Sequence, residues 1–459
     1  MGGDSDDTEG DDDLLPRYRD LAKRIAEAPP STPVERLREW LPTPARSDAF
    51  PGVDIQRRGA VKPDRLLASV FVLAIAAGLV LALGYRSWLP DGPLAGMTLT
   101  AVYGALWLFV GIYLLATTVW VVEALLAWDH EPVEPAFGYD DIQVRVLTVG
   151  AESVVQGTVD ALPDGLAPDD RHVVAETPID VAGATVHVVP DSFDCAATDK
   201  GRALEWARRN VRCDTEFVLF LDEDTLVRDF AGLPDVGVAQ FREWPMFTGS
   251  YWAYWAEVLR LGYQTELSAF ARLPVPLYAW GGGIAVRREV EEAVTWDYET
   301  LIEDTVFAWK AAKAGYEYEV LDTKFRNQAP PSVREMVSQR RRWISGSLAD
   351  EAELPRWYRA LYVLRNVAWA FSPLSPFLVA FAAVLPATVP GWDLFYALSL
   401  VLFAFTFVWV WRGWRYYDGP TLRLLPGLLL VPFVVAVHSL GAAYGLVSPA
   451  EEFEPTEKD

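Results

Sequence analysis

Residues 217–225 read FVLFLDEDT. An uncharged run of that length, ending at once in Asp222, Glu223 and Asp224, is a strand buried on both faces with carboxylates at its carboxyl end. Similar runs lie around it: QVRVLTV at 143–149, RHVVA at 171–175, ATVHVV at 184–189 and EFVLFL at 216–221. Helices are expected over 198–210, 250–272, 303–315 and 332–349. The alternation predicts an α/β domain over 138–355, a mostly parallel sheet covered by helices on both faces. Ligands of such sheets bind beyond the carboxyl ends of strands, where Asp222 and Asp224 stand.

The chain has 459 residues, of which 51% are hydrophobic and 22% charged. That mixture fits a charged domain joined to membrane-spanning segments rather than a disordered chain. With 63 acidic residues against 40 basic ones, the net charge of −23 argues against nucleic acid as a partner. Seven of the basic residues are Lys. Surplus acid with few Lys reads as a surface adapted to high salt, and a halophilic archaeal source is the expectation. Two Cys, at 195 and 213, and four His exclude a disulfide scaffold and a zinc cluster.

Five uncharged apolar runs flank the domain: 66–85, 92–122, 366–392, 394–411 and 424–450. Each reaches the roughly 18–20 residues that cross a bilayer core as a helix. Pro373, Pro376 and Pro386 predict a break in the third. Two transmembrane helices are thus expected over 61–128 and about three over 360–450. The first 13 residues hold seven acids and no base, an acidic solvating tail, and 16–60 reads as short Arg-containing cytoplasmic helices. Arg57, Arg58, Lys62 and Arg65 before the first run, and Arg412, Arg415 and Arg423 before the fifth, place the N-terminus and the domain in the cytoplasm. Arg86 is the contrary charge. The acidic tail at 451–459 is then expected outside.

The chemistry-bearing residues follow one another along the domain. Alternate carboxylates at a strand end can hold Mg²⁺ or Mn²⁺ and leave positions open for a diphosphate, although Asp-x-Asp also arises by chance in so acidic a chain. Glu303 and Asp304 begin a helix, where the dipole stabilises carboxylates and one can accept a proton. QRRRW at 339–343 offers Arg342 as a fork for phosphate and Trp343 as a flat wall; a basic cluster beside a membrane is the bland alternative. WGGGIAV at 280–286 allows close backbone approach. Lys200, opening a helix, would ordinarily face solvent. No phosphate-binding P-loop is present, so ATP hydrolysis is unsupported.

In this order, Lys200, Asp222 and Asp224, Trp280 with its glycines, Glu303-Asp304 and Gln339 to Trp343, the chain resembles the membrane-embedded family 2 glycosyltransferases, the group of cellulose, chitin and hyaluronan synthases. Its stretch EDTVFAWKAAKAGYEYEVLDTKFRNQAPPSVREMVSQRRRWISG is most similar to the egghead-like β-1,4-mannosyltransferases. The resemblance implies an inverting enzyme with a Rossmann-like GT-A domain, inserted between two membrane helices before it and about three after. It implies a nucleotide-sugar donor, UDP- or GDP-linked, and a lipid or glycan acceptor. Thr148 and Glu152 would cradle the base, and Glu176, where the family has Asp, would lie near the nucleotide. Lys200, Asp222, Gln339, Arg342 and Trp343 would hold the donor, and Asp222 and Asp224 the metal. Asp304, beside Glu303, would be the general base, and Trp280, Gly281 and Gly282 would face the acceptor.

YWAYW at 251–255 opens an amphipathic helix that either lines an acceptor channel or packs its rings against sheet or membrane. Glu123 and His438 either touch a passing polar chain or pair internally. The long apolar runs offer little lining for a polysaccharide tunnel, so limited addition is favoured over a processive, secreting synthase. A non-catalytic membrane scaffold is the reading from another class, disfavoured by the intact acidic and QRRRW motifs.

Overall fold

The computed structural model describes residues 93–384, 391–417 and 428–451. The apolar run at 66–85, the acidic and Arg-containing segments before it, the loop around Arg423 and the final tail lie outside the described residues. The chain enters through helix α1 (Pro93–Leu126) and then forms strand β1 (Ile142–Thr148), helix α2 (Glu152–Asp160), and strands β2 (Arg171–Ala175) and β3 (Thr185–Val188). Helix α3 (Asp199–Asn210), strand β4 (Phe217–Asp222) and strand β5 (Val238–Met246) follow. After them come helix α4 (Tyr251–Tyr263) with a 3-10 continuation over Gln264–Arg272, strand β6 (Ile284–Arg287), helix α5 (Arg288–Val294) and helix α6 (Glu303–Lys313). Strand β7 (Tyr318–Gln328) and helix α7 (Val333–Ala349) complete the domain.

The strands form one sheet in the order β3-β2-β1-β4-β6-β5-β7. Strands β1 to β4 pair in parallel, as does β5 with β7. Strand β6 runs antiparallel to both neighbours, so the sheet is mixed. Side chains alternate across a strand, and β4 shows the consequence. Val218 and Phe220 enter one apolar core, with Leu204 and Ala207 of α3 and Phe307 and Trp309 of α6. Phe217, Leu219 and Leu221 enter the other, with Val155 and Val159 of α2. Both faces are therefore covered, as the continuous apolar strands require.

Beyond the domain lie helices α8 (Arg356–Phe371), α9 (Ser375–Val384), α10 (Trp392–Tyr416) and α11 (Val431–Val447). Among the described residues, two helices are long and apolar enough to cross a membrane, Ala101–Leu126 within α1 and α10 at Trp392–Tyr416. The run expected over 366–392 is broken by a 3-10 turn at Ser372–Leu374, where Pro373 removes a backbone donor. The fifth run is a shorter helix of 17 residues that lies along α7. A β-carbon on Gly441 would come within 2.5 Å of Arg340 Cβ, and one on Gly445 within 2.4 Å of Ile344 Cγ2. This small-residue stripe lets the two helices touch. At its end, Arg341 Nε donates to Ser448 O at 2.8 Å and Ala450 N to Ser345 Oγ at 2.8 Å. These bonds hold Ser448–Ala450 on α7.

Glycines make a second close crossing between α4 and α10. A β-carbon on Gly413 would lie 1.7 Å from Val258 O, and one on Gly262 1.9 Å from Trp409 O. YWAYW is part of this seam. Trp255 stacks on Trp414 at 5.7 Å and 11°, Tyr254 meets Tyr417, and Trp252 meets Phe433. Of the two readings for those rings, packing is the one observed, against α10 and α11.

Candidate active site

A cavity of about 640 Å³ opens beyond the carboxyl ends of β1 and β4. Thr148 closes β1, and its hydroxyl donates to Glu223 Oε2 at 2.6 Å. The backbone carbonyl of Glu223 in turn accepts from Thr158 Oγ1 at 2.6 Å. This pins the turn after β4, where Asp222, Glu223 and Asp224 all line the cavity and Glu223 is also tied to the end of β1. Asp224 Oδ2 accepts from Gln328 N at 2.8 Å, at the end of β7. Two carboxylates of this kind suit a hard divalent cation. Among the described residues no cluster of three or more His, Cys, Asp or Glu side chains converges. A cation there would complete its shell with water and the oxygens of a diphosphate.

Lys200 binds this acid end to the next one. Its Nζ lies 2.8 Å from Asp222 Oδ1 and 3.4 Å from Glu303 Oε1. The residue before it, Asp199, has a φ of 48°, a left-handed conformation costly for a side chain with a β-carbon. Lys200 is thus a cavity residue and does not face solvent, contrary to the ordinary expectation for a lone Lys. Burial pulls its pKa down, but the charges of Asp222, Glu303 and Asp304 outweigh that and hold the ammonium above its usual value.

Asp304 is half-buried at the start of α6. Its Oδ2 accepts from Gly281 N at 2.6 Å and its Oδ1 from Thr305 N at 2.8 Å. Burial, and then the charge of Glu303, push it up to about 7 against the pull of Lys200. Gln240 carries the Trp280 turn, its Oε1 accepting from Trp280 N at 2.9 Å and its Nε2 donating to Trp280 O at 3.0 Å. The glycines of WGGG are needed for contact as well as approach. A β-carbon on Gly282 would sit 2.6 Å from the Trp280 ring.

From α7, Gln339, Arg342 and Trp343 reach the same cavity. Arg342 Nη1 donates to Leu301 O at 3.1 Å, just before the Glu303-Asp304 pair. Trp343 lies under the guanidinium groups of Arg340 and Arg260, 4.2 and 5.5 Å from its ring centre.

Of the residues singled out in the sequence, Thr148, Glu176, Lys200, Asp222, Asp224, Trp280, Glu303, Asp304, Gln339, Arg342 and Trp343 share this cavity. Glu176, half-buried, pairs with Arg202 at 2.8 Å, and burial raises its pKa against that partner. Glu152 is not among the lining residues; its carboxylate caps the backbone N–H of Asp180 at 3.1 Å on an exposed turn. Gly281 and Gly282 stand behind Asp304 and under Trp280, so they shape the wall more than they face a ligand.

Most other residues of the cavity had no sequence signal. The cavity continues among the helices, past Glu243, Glu257, Arg260, Tyr263, Gln264 and Glu266, to Arg365, Asn366, Ser372 and His438. His438 therefore does line the cavity. Glu123 instead pairs with Arg365, which also binds Glu266 at 2.8 Å. Charged residues scattered singly through 242–272 carry no recognisable spacing, and partners that far apart in the chain meet only through the fold.

Residues 217–414 match the sequence profile described as Glycosyl transferase family group 2. Beta-1,4-mannosyltransferase bre-3 of Caenorhabditis briggsae is 25% identical over 302 residues, covering 59% of this chain and 66% of its own length. Beta-1,4-mannosyltransferase egh of Drosophila melanogaster is 23% identical over 304 residues, with the same shares. The match thus spans just under two thirds of these relatives. The structure of mannosyltransferase PcManGT from Pyrobaculum calidifontis in complex with GDP-Man and Mn²⁺ aligns with 74% of this chain and 99% of that one, at 15% identity and a TM-score of 0.43, a likeness too slight to argue from. Over residues 217–414 the chain is thus similar to family 2 glycosyltransferases, and over a wider stretch to the egghead and bre-3 β-1,4-mannosyltransferases.

Proposed function

We propose that this chain is an inverting, metal-dependent glycosyltransferase of the GT-A fold. It would move a hexose from a nucleoside diphosphate sugar to a lipid-linked or glycan acceptor at the cytoplasmic face of a membrane. The homologues support mannose as the sugar; UDP and GDP both fit as the nucleotide. The observation that carries the reading is Asp304, a carboxylate pushed up to about 7 that faces one cavity with Lys200, Asp222 and Arg342.

Asp304 takes the proton of the acceptor hydroxyl as its oxygen attacks C1 of the sugar. The bond from C1 to the diphosphate oxygen breaks on the opposite face, its electron pair leaves with the nucleotide, and a single displacement inverts the anomeric centre. Arg342 and Lys200 set positive charge where the departing diphosphate gains negative charge. Asp222 and Asp224 would hold a divalent cation, which when bound would supply further neutralisation there. The apolar helices anchor the domain, and Arg412 and Arg415 near the end of α10 support a cytoplasmic placement.

A second reading, a processive synthase, gains one specific support. Arg365, Asn366, Ser372 and His438 give the cavity a polar lining among the helices that the apolar runs had not promised. Product length separates the two.

The test is nucleotide release by membranes carrying the protein, kept in molar KCl and offered GDP- and UDP-sugars with Mg²⁺ or Mn²⁺, beside Asp304→Asn. Metal-dependent release of one nucleotide, lost in the variant, is expected. Unchanged release in Asp304→Asn would remove the base assignment, and no release from any donor would remove the reading.

A further inference from the structure

The middle residues of QRRRW differ sharply in what they do. Arg341 turns away to Ser448 and the Tyr444 ring. Arg340 is fully buried, 0% exposed, and does not line the cavity. Its Nη1 donates to Gln339 Oε1 at 2.7 Å, its Nη2 pairs with Glu257, and its plane lies 4.2 Å from the centre of Trp343. Glu257 is shared: its other oxygen accepts from Arg260 Nε at 2.6 Å. Arg260 covers Trp343 at 5.5 Å and donates through Nη2 to Glu243 Oε2 at 2.8 Å. Two carboxylates and two guanidinium groups thus form one buried, neutral quartet drawn from β5, α4 and α7, with Trp343 enclosed by both cations.

Such a quartet is a poor way to gain stability. Apolar side chains of the same size usually do as well, because burying each charge costs what the pairing returns. Arg340 also leaves its Nε without a partner. What the quartet does provide is fixed geometry. Arg340 is held through both Nη atoms and Arg260 through Nε and Nη2, so the indole they contact has little freedom.

We propose that Arg340 is a positioning residue that sets Trp343 and Gln339 against the reacting end of the cavity, and so controls whether the sugar passes to the acceptor or to water. The inference rests on the transferase reading above. In either outcome the C1–diphosphate bond breaks, its electron pair leaves with the nucleotide, and a C1–O bond forms to acceptor or water, whose proton passes to Asp304. An indole that drifts admits water to the position the acceptor hydroxyl should hold.

Membranes carrying wild type, Arg340→Met, the double variant Arg340→Met/Glu257→Leu, and Arg341→Met would be given radiolabelled nucleotide sugar, their own lipids and glycans serving as acceptor. Total nucleotide released and label incorporated are read together. Wild type and Arg341→Met should share one ratio of incorporation to release. In both Arg340 variants that ratio should fall about tenfold with the donor KM held within about twofold. The double variant replaces both partners by apolar groups, so misfolding does not mimic the effect. Release and incorporation falling in step, or a ratio unchanged in the double variant, would overturn the inference while leaving the transferase reading intact. A wild type inert toward every donor would overturn both.

Discussion

A single methyl group tests the assignment of the base. In Gly281→Ala the new β-carbon would lie 2.4 Å from Lys200 Nζ and 2.8 Å from Asp304 Oδ2, where ordinary contact begins at 3.4 Å. A Lys tail normally swings aside at little cost, but this one is held by Asp222 and Glu303 at 2.8 and 3.4 Å. Asp304 is no freer, since its Oδ2 is bonded at 2.6 Å to the backbone N–H of Gly281 itself. One group must therefore yield by about 1 Å, enough at a reacting centre to cost roughly 100-fold in rate, or about 2.7 kcal/mol of barrier. The assay is steady-state nucleotide release, with thermal unfolding confirming an intact fold. Gly282→Ala is the matched control, because its β-carbon meets the Trp280 ring at 2.6 Å and leaves Asp304 untouched. Its kcat should fall much less. A Gly281→Ala enzyme within about threefold of wild type would mean that Asp304 and Lys200 do not occupy these positions during turnover.

Three other outcomes are expected. Because burial and Glu303 raise Asp304 to about 7, the base is increasingly protonated below that pH, and kcat/KM should drop about tenfold per pH unit on the acid side; a flat profile between pH 5 and 7, of the order tested for such bases, would count against it. Gly413→Ala drives a β-carbon to 1.7 Å from Val258 O at the crossing of α4 and α10, and should destabilise by about 3 kcal/mol, read as a lower melting midpoint in detergent. Glu451→Cys should be labelled by a membrane-impermeant maleimide from the same side as Arg212→Cys on the catalytic domain, because Ser448–Ala450 is tied to α7; labelling from opposite sides would refute that placement and support a span over 424–450.

The strands that the sequence made legible are those whose neighbours bury them on both faces. FVLFL is apolar from end to end and RHVVA is apolar after Arg171 and His172, and β2 and β4 fall within a residue of where they were expected. Strands β5 and β7 were hidden because they carry Arg242, Glu243, Lys324 and Arg326 among their apolar residues. Those charges are hidden inside the fold by partners such as Arg260 and Ser268, which a window of local sequence does not contain. The site divides in the same way. Asp222, Asp224 and Asp304 announce themselves as carboxylates at a strand end and a helix start, and Arg342 and Trp343 as part of the compact QRRRW run within α7. The resemblance singled out Lys200, but its ion pairs could not be seen, since a link from α3 to β4 and α6 depends on the sheet order that brings three elements together.

The helical bundle is better understood as part of the site than as an anchor beside it. Arg365 of α8 binds Glu123 of α1 and Glu266 of the 3-10 segment after α4, and all three side chains are nearly sealed from solvent. As a source of stability the triad is weak, because each charge loses its hydration. As a fastener it is specific: sliding any one of the elements along its axis would strand a buried charge, which costs several kcal/mol. Arg365 and Glu266 also face the cavity. The contact that fixes the register of two apolar helices against the domain is therefore the same one that shapes the inner end of the site. Substitutions deep in the bundle should consequently change how the acceptor is held before they loosen the domain from its helices.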